Sequence, residues 1–210
     1  MPKRLFDLVF SGLALVLLAP VLVVVAAWVA ADSPGGVFFR QTRVGRNGKL
    51  FRIYKFRTMR ALAEASGPAI TVGADGRITR AGGWLRRTKI DELPQFINVF
   101  LGEMSVVGPR PEVPRYVAQY PESVRDLVLS VRPGITDRAS IEFRDESHLL
   151  GQSSNPEQTY VEQILPIKLR YATEYVQSQT LWGDLKLIAN TVSAVWMRRP
   201  SLPKKATDGP

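Results

Sequence analysis

Hydrophobic positions are spread unevenly along this 210-residue chain. Residues 8–31 are almost wholly apolar, with Pro20 near the middle. As a helix such a run is about 36 Å long, enough to cross a hydrocarbon core of about 30 Å. A cleaved secretory leader has a shorter apolar region, and residues 26–31 offer only a weak small-residue cleavage pattern. A simple span is the second alternative. Two features weigh against it: a proline removes a backbone donor and crowds the preceding turn, and both flanks are basic. Lys3 and Arg4 precede the run, and a cationic block follows it. Positively charged flanks stay in the cytoplasm. A segment with both flanks on one side must enter and return, so the pattern predicts a re-entrant helix–break–helix over residues 1–32, bent at Pro20. The carbonyl freed near Val16 needs a partner inside the bilayer, Ser11 lies far from it, and the sequence leaves the partner open.

Beyond the turn residues 32–36, the period changes. Residues 37–44 and 49–56 alternate as strands around Gly45-Arg46-Asn47-Gly48, which predicts a β-hairpin. Residues 61–76 are polar and Gly-rich and read as a loop with a short helical piece. Helices are predicted over 78–87, 91–101, 113–120 and 123–129, and over 157–177 with a kink or break at Pro166. Residues 181–197 form an amphipathic helix with Leu185, Ile188, Val192, Val195 and Trp196 on one side. That face suits either core packing or the membrane surface. The last residues, 201–210, read as a disordered tail. The fold class is therefore α+β, mostly helical: a membrane element (1–32), a small catalytic domain (33–200) holding the hairpin and the amphipathic helices, and the tail.

Charge and composition narrow the function. The net charge is +9 and it is clustered. Residues 38–63 carry eight cations (Arg40, Arg43, Arg46, Lys49, Arg52, Lys55, Arg57, Arg60) and no acid. Residues 76–90 carry five more (Arg77, Arg80, Arg86, Arg87, Lys89). Such blocks point to an anionic partner: lipid head groups, nucleic acid or a phosphorylated substrate. With no cysteine and one histidine, His148, thiolate and multi-histidine metal sites are excluded. His148 reads as an ordinary loop residue.

Asp91-Glu92 is the leading candidate for chemistry. Pro94 suits the first turn of a helix, which places both carboxylates near a helix N-terminus, where free amides and the dipole favour anions. That setting would keep Asp91 ionised, as a nucleophile or metal ligand must be, and would offer amides to a phosphate. Helix capping with surface ion pairs is the plainer reading. Arg110, between Pro109 and Pro111, is the second candidate, because a rigid backbone presents a guanidinium that can grip phosphate with two hydrogen bonds. Arg132, before Pro133-Gly134, repeats the idea. Lys55 and Arg57, at the hairpin's end, are the fourth pair. Neither a Walker lysine loop nor a dinucleotide glycine fingerprint is present. Phosphate binding would have to come from arginines, helix ends and a metal.

Four motifs follow the apolar segment in a fixed order: Lys55-Phe56-Arg57-Thr58-Met59, Asp91-Glu92-Leu93-Pro94-Gln95, Met104-Ser105-Val106-Val107-Gly108-Pro109-Arg110-Pro111 and Val131-Arg132-Pro133-Gly134-Ile135-Thr136. Together they resemble the small monotopic phosphoglycosyl transferases, also called bacterial sugar transferases, over about residues 3–197. The resemblance implies a re-entrant helix bent at a proline. It implies transfer of a sugar 1-phosphate from a UDP-sugar to polyprenyl (undecaprenyl) phosphate with release of UMP. Asp91 is then the covalent nucleophile, Mg2+ balances the phosphate charge on Asp91 and Glu92, and Arg110 holds the phosphate. Glu92 is either a metal ligand or an activator of the second nucleophile. The implied place is the cytoplasmic face of a bacterial inner membrane, at the first membrane step of glycoconjugate synthesis. Two positions differ from the family pattern. Asp137-Arg138-Ala139-Ser140 stands where many members have Gly-Trp-Ala-Gln, which leaves the sugar or nucleotide contacts of that loop open. Ala19-Pro20 stands where Ser-Pro is familiar.

The substrates account for such an architecture. One is a soluble diphosphate and the other a phosphate heading a membrane-buried chain, so chemistry belongs at the interface. Basic residues facing anionic head groups contribute about 1 kcal/mol each. The rival readings are a membrane-anchored basic scaffold or sensor without turnover, and a nucleic-acid binder that stacks bases on Phe51, Tyr54 and Phe56. An alternating strand places such aromatics in a core, so no nucleic acid is expected as partner. The expected partners are a UDP-sugar, polyprenyl phosphate and membrane lipids, and the sequence leaves a homodimer open.

Overall fold

The structure is a computed structural model that describes residues 2–60 and 75–197. The polar loop expected over 61–76 falls almost entirely outside these residues, and the tail 201–210 wholly so.

The chain opens with one long helix, α1 (Pro2–Asp32), with Pro20 inside it. The expected break is absent: the backbone stays helical through the proline. A proline costs one hydrogen bond and some crowding, and the turns on either side can carry the helix past it. Ser11 bonds the carbonyls of Asp7 and Leu8 and leaves that of Val16 alone. By length and composition α1 is able to cross a membrane. Leu13, Val16, Leu17, Val23 and Val24 in its middle are exposed.

Both ends of α1 dock on the rest of the chain. At the N-terminal end the buried Asp7 accepts from Ser105 Oγ (3.0 Å) and the Val106 amide (3.1 Å). Lys3 pairs with the fully buried Asp184 at 2.6 Å. Arg4 donates to the carbonyls of Val99 and Phe100. At the other end Asp32 accepts from the Ala81 amide at 3.0 Å, while Val25 and Val29 pack against Phe56 and Leu85.

The predicted hairpin is present: β1 (Phe38–Val44) pairs antiparallel with β2 (Leu50–Phe56). Asn47 and Gly48 take positive φ at the turn, as the Asn-Gly pair leads one to expect. Phe51 and Ile53 are buried on one face of β2. Then come α2 (Arg80–Thr88), a single 3-10 turn (Ile90–Glu92) and α3 (Gln95–Leu101). The helix expected from residue 91 thus begins later, because Pro94 cannot donate and becomes the cap of α3.

A small parallel pair was not foreseen: β3 (Ser105–Val107) beside β4 (Gly134–Thr136). The two backbones meet so closely that a Cβ on Gly134 would lie 2.1 Å from the Gly108 nitrogen. Both motif glycines are required by this approach. Between the strands lie α4 (Pro114–Val117) and α5 (Glu122–Leu129). After β4 come α6 (Arg138–Glu142), α7 (Glu146–Gly151), α8 (Pro156–Thr159), α9 (Leu165–Ser178) and α10 (Leu181–Met197). His148 belongs to α7, a helix rather than the expected loop. A π turn over Tyr160–Ile164 joins α8 to α9. Its Leu165 amide reaches back to the Tyr160 carbonyl, so the chain passes Pro166 by a wider turn instead of a break.

On α10, Ile188 and Leu187 pack inward beside Val106 and Phe96, while Leu185 and Val192 remain exposed. The expected single apolar side is therefore split between core and surface.

Candidate active site

The site forms where β2, the 3-10 turn and the loop after β3 converge. Lys55 shares a face of β2 with Phe51 and Ile53, which points it inward at the strand's end. Asn98 of α3 fixes the strand beside it. Its Oδ1 accepts from the Tyr54 amide (2.9 Å), and its Nδ2 donates to the Arg52 carbonyl (3.0 Å). A side-chain amide thus mimics a neighbouring strand and locks β2 to α3. With that register set, Lys55 Nζ lies 2.7 Å from Glu92 Oε1.

Arg110 arrives from the opposite side. Its loop is anchored by the Gly134 amide on the Pro109 carbonyl (2.9 Å) and by Arg43 on the Pro111 carbonyl (3.0 Å). Asp137 completes the brace. One of its oxygens accepts from the Arg110 amide at 3.2 Å, and the other accepts from the Ser140 amide and caps α6. The guanidinium then donates to Glu92 Oε1 at 3.0 Å. A single carboxylate oxygen therefore holds both cations.

Electrostatics separate the two acids. Burial alone would raise the Glu92 carboxyl, but Arg110, Lys55 and Lys89 outweigh it and hold Glu92 well below the usual range. Asp91 is pushed the other way, first by burial and then by the neighbouring Glu92 charge, with Lys55, Lys89 and Arg86 opposing. The helix-end setting was expected to keep Asp91 readily ionised. Instead, its place in a 3-10 turn, 7% exposed, removes solvent from it. Burial likewise draws Lys55 down, against the pull of Glu92. Asp91 Oδ1 is buried and has no hydrogen-bond partner among the described residues. It is an acceptor held next to cations and left unused.

Two predicted phosphate ligands lie elsewhere. Arg57 is buried and donates to the carbonyls of Val29, Ser33 and Pro34. It caps the C-terminal end of α1, where free carbonyls demand donors. Arg132 donates to the Gly102 carbonyl at 2.8 Å, beyond the end of α3. The value of its motif lies in Gly134. Pro20 is on the exposed middle of α1, remote in the chain from these groups.

Sequence reasoning missed the supports: Asn98, Asp137 as the Arg110 brace, and a buried set behind the loop. In that set Tyr160 donates to Glu112 at 2.6 Å, Arg43 lies 3.8 Å from Glu112, and Lys168 pairs with Glu146 at 2.5 Å. Arg43 stood within the cationic block, but nothing in the spacing linked it to Glu112 or Tyr160.

No cluster of three or more metal-ligating side chains occurs among the described residues. Magnesium does not need one, since it usually keeps several waters and binds one or two carboxylates together with substrate phosphates. Asp91, with its unpartnered oxygen, and the adjacent Glu92 fit that limited requirement.

A cavity of about 420 Å³ opens beside the site, lined by Lys89, Glu92 and Arg110 and by Phe10, Phe96, Ile188 and Val192.

The chain matches the family described as bacterial sugar transferase over residues 1–198. It is 38% identical over 193 residues to the UDP-glucose:undecaprenyl-phosphate glucose-1-phosphate transferase of Escherichia coli (strain K12), covering 90% of this chain and 39% of that protein. It is 35% identical to a protein of the same name from Caulobacter vibrioides, covering 92% of this chain and 69% of the relative. With the exopolysaccharide production protein PSS of Rhizobium leguminosarum bv. phaseoli it shares 58% identity over 109 residues, 51% of this chain and 54% of that one. The chain spans about two fifths of the Escherichia coli relative. Its match along residues 1–198, with the Asp91-Glu92 turn and the Arg110 loop brought together in space, establishes that the chain belongs to the bacterial sugar transferase family.

Proposed function

We propose that this chain transfers a sugar 1-phosphate from a UDP-sugar to undecaprenyl phosphate and releases UMP, using Asp91 as covalent nucleophile. The carrying observation is the unpartnered Asp91 oxygen, buried beside Lys55, Lys89 and Arg86. A buried acceptor without a partner is costly, and a phosphorus atom brought to it by those cations would relieve that cost. The names of the relatives supply the substrate class.

In the first displacement an Asp91 oxygen bonds to the β-phosphorus of the UDP-sugar. The bond from that phosphorus to the bridging oxygen breaks, and UMP leaves. In the second, a phosphate oxygen of the polyprenyl phosphate bonds to the same phosphorus. The Asp91–phosphorus bond breaks, which restores the carboxylate and yields a polyprenyl diphosphate sugar. Such double displacement gives ping-pong kinetics. Lys55 and Arg110, aligned by Glu92, lie ready to stabilise charge gathering on the transferring phosphoryl group. Glu92 is thereby a positioning residue for both cations. Magnesium, held by Asp91 and Glu92, would neutralise the diphosphate and aid departure of UMP.

The re-entrant topology also belongs to this reading. A straight helix of 31 residues is about 46 Å long. Its two ends nevertheless dock on the same folded body, through Asp7 and Lys3 at one and Asp32 and Val29 at the other. That arrangement suits entry and return at the cytoplasmic face of the inner membrane, with the exposed apolar middle of α1 in lipid. Membrane lipids are then direct partners, and the scaffold alternative leaves the spare Asp91 oxygen unexplained.

The test is release of UMP from a panel of UDP-sugars with undecaprenyl phosphate and magnesium. Asp91→Asn should abolish it while the fold is kept. Wild-type rates in that variant would eliminate the covalent mechanism, and no release from any donor would favour the scaffold.

A further inference from the structure

The cavity beside Glu92 is larger and more apolar than a phosphoryl site needs, and nothing in the transfer chemistry uses its apolar lining. Lys89, Glu92 and Arg110 of the candidate site line it. Its apolar wall comes from Phe10 of α1, Phe96 of α3, and Ile188 and Val192 of α10. Phe10 and Phe96 sit with ring centroids 6.0 Å apart, and Phe6 continues the row along α1 at 5.5 Å from Phe10. The hollow therefore borders both Glu92 and Arg110 and the α1 helix. Val192, on its rim, is 55% exposed.

The polar groups along the walls are largely spent on one another. Thr136 and Thr191 share a 2.7 Å hydrogen bond, Arg144 donates to the Ala194 carbonyl, and Lys168 pairs with Glu146. Among the described lining residues, Ser140 Oγ is a buried oxygen without a partner. A uracil, ribose or hexose presents many donors and acceptors that need partners, and leaving them unmade is costly. A hydrocarbon chain needs none. Cations of the candidate site and a hydrocarbon wall in one hollow match an amphiphile with an anionic head.

We infer that this cavity receives the membrane-proximal end of the acceptor, with its phosphate at Lys89 and Arg110 and its first isoprene units running between Phe10, Phe96, Ile188 and Val192 toward the bilayer. This rests on the proposed transferase reading for the identity of the acceptor. It gives α10 a part in acceptor recognition.

The experiment uses the full chain in detergent micelles and a polyprenyl phosphate carrying a diazirine on an isoprene unit near the phosphate. After irradiation, digestion and mass spectrometry, label is expected on peptides holding Phe96, Ile188 or Val192, and excess unlabelled polyprenyl phosphate should remove it. Label confined to the exposed middle of α1, or label that the competitor leaves in place, would overturn the inference. Because this readout needs no turnover, it is independent of whether UMP is released. Val192→Trp, at an exposed rim position, supplies the kinetic arm. The KM for polyprenyl phosphate should rise at least about 10-fold more than the KM for the UDP-sugar, about 1.4 kcal/mol in acceptor binding. Equal changes in both constants, or none, would count against acceptor binding there. Protection by UDP-sugar alone would assign the cavity to the donor and refute the inference.

Discussion

Glu92 and Arg110 are 18 residues apart in the chain, and their side chains meet at 3.0 Å. The same Glu92 oxygen accepts from Lys55 at 2.7 Å, so one carboxylate positions two cations that approach from different elements. Glu92→Gln removes the charge and leaves the half-buried Lys55 and Arg110 without a counter-ion. Losing hydrogen bonds to a charged group costs about 1.5–3 kcal/mol. Denaturant unfolding should show that loss, and UMP release should drop along with it.

Arg110→Lys keeps a positive charge but not the planar fork. With the loop still braced by Asp137 and Arg43, the fold should persist. The turnover number should fall by about 10²–10³, the range for losing one well-placed stabilising donor, as steady-state kinetics with saturating UDP-sugar would measure. An unchanged turnover number would remove Arg110 from the reacting groups.

The two acids predict opposite pH trends. Burial and the Glu92 charge raise Asp91 in the folded protein, so folding favours its protonated form. As pH rises from the ordinary aspartate range through the folded pKa, this group takes stability away. Below the ordinary range its effect vanishes. Asp91→Asn should therefore gain stability relative to the parent as pH rises through that window, read by urea unfolding in a metal-chelated buffer. Glu92 acts in reverse. Its stabilisation is present above the ordinary glutamate range and is lost as pH falls through its depressed pKa. The acid limb of kcat/KM should follow Asp91 and lie above the ordinary aspartate range.

Arg57 offers a prediction that a phosphate ligand would not. Its guanidinium is committed to the carbonyls of Val29, Ser33 and Pro34. Arg57→Gln should lower stability by about 2–3 kcal/mol and leave the KM for the UDP-sugar within about twofold. A large rise in that KM with unchanged stability would return Arg57 to the substrate.

The chain has no cysteine, so introduced thiols report cleanly on topology. Pro2→Cys and Gly36→Cys flank α1 at exposed positions. In inside-out vesicles both should react with a membrane-impermeant maleimide, and in right-side-out vesicles neither should. Reaction of one in each orientation would mean that α1 spans the bilayer.

How much of this was legible depended on how local the cause was. The hairpin was readable because Asn47-Gly48 and the alternation around it act over a few residues. The long apolar helix was readable from composition. Pro20 was read too strongly, since a missing donor bends or weakens a helix without having to end it. The β3–β4 pair was not readable: three residues each carry little period, and their pairing rests on Gly108 and Gly134 touching across 25 intervening positions. Asp91, Glu92, Lys55 and Arg110 were all singled out, and the structure brings them together. Arg57 and Arg132 were singled out by the same logic of charge near proline or strand ends, yet each serves backbone carbonyls. Which way an arginine points is decided by packing, and the pattern of charges does not carry that information. Asn98 and Asp137 were silent for the same reason, because their importance lies wholly in whom they reach.

The most direct test of the central claim is the intact mass of the protein after rapid mixing with a UDP-sugar and magnesium in the absence of lipid acceptor. The wild-type chain should gain the mass of one sugar phosphate, with one UMP released per gain, and added undecaprenyl phosphate should return the mass to its starting value. Asp91→Asn should show no gain. UMP release without any mass gain, or a gain that persists in Asp91→Asn, would contradict an aspartyl intermediate at position 91.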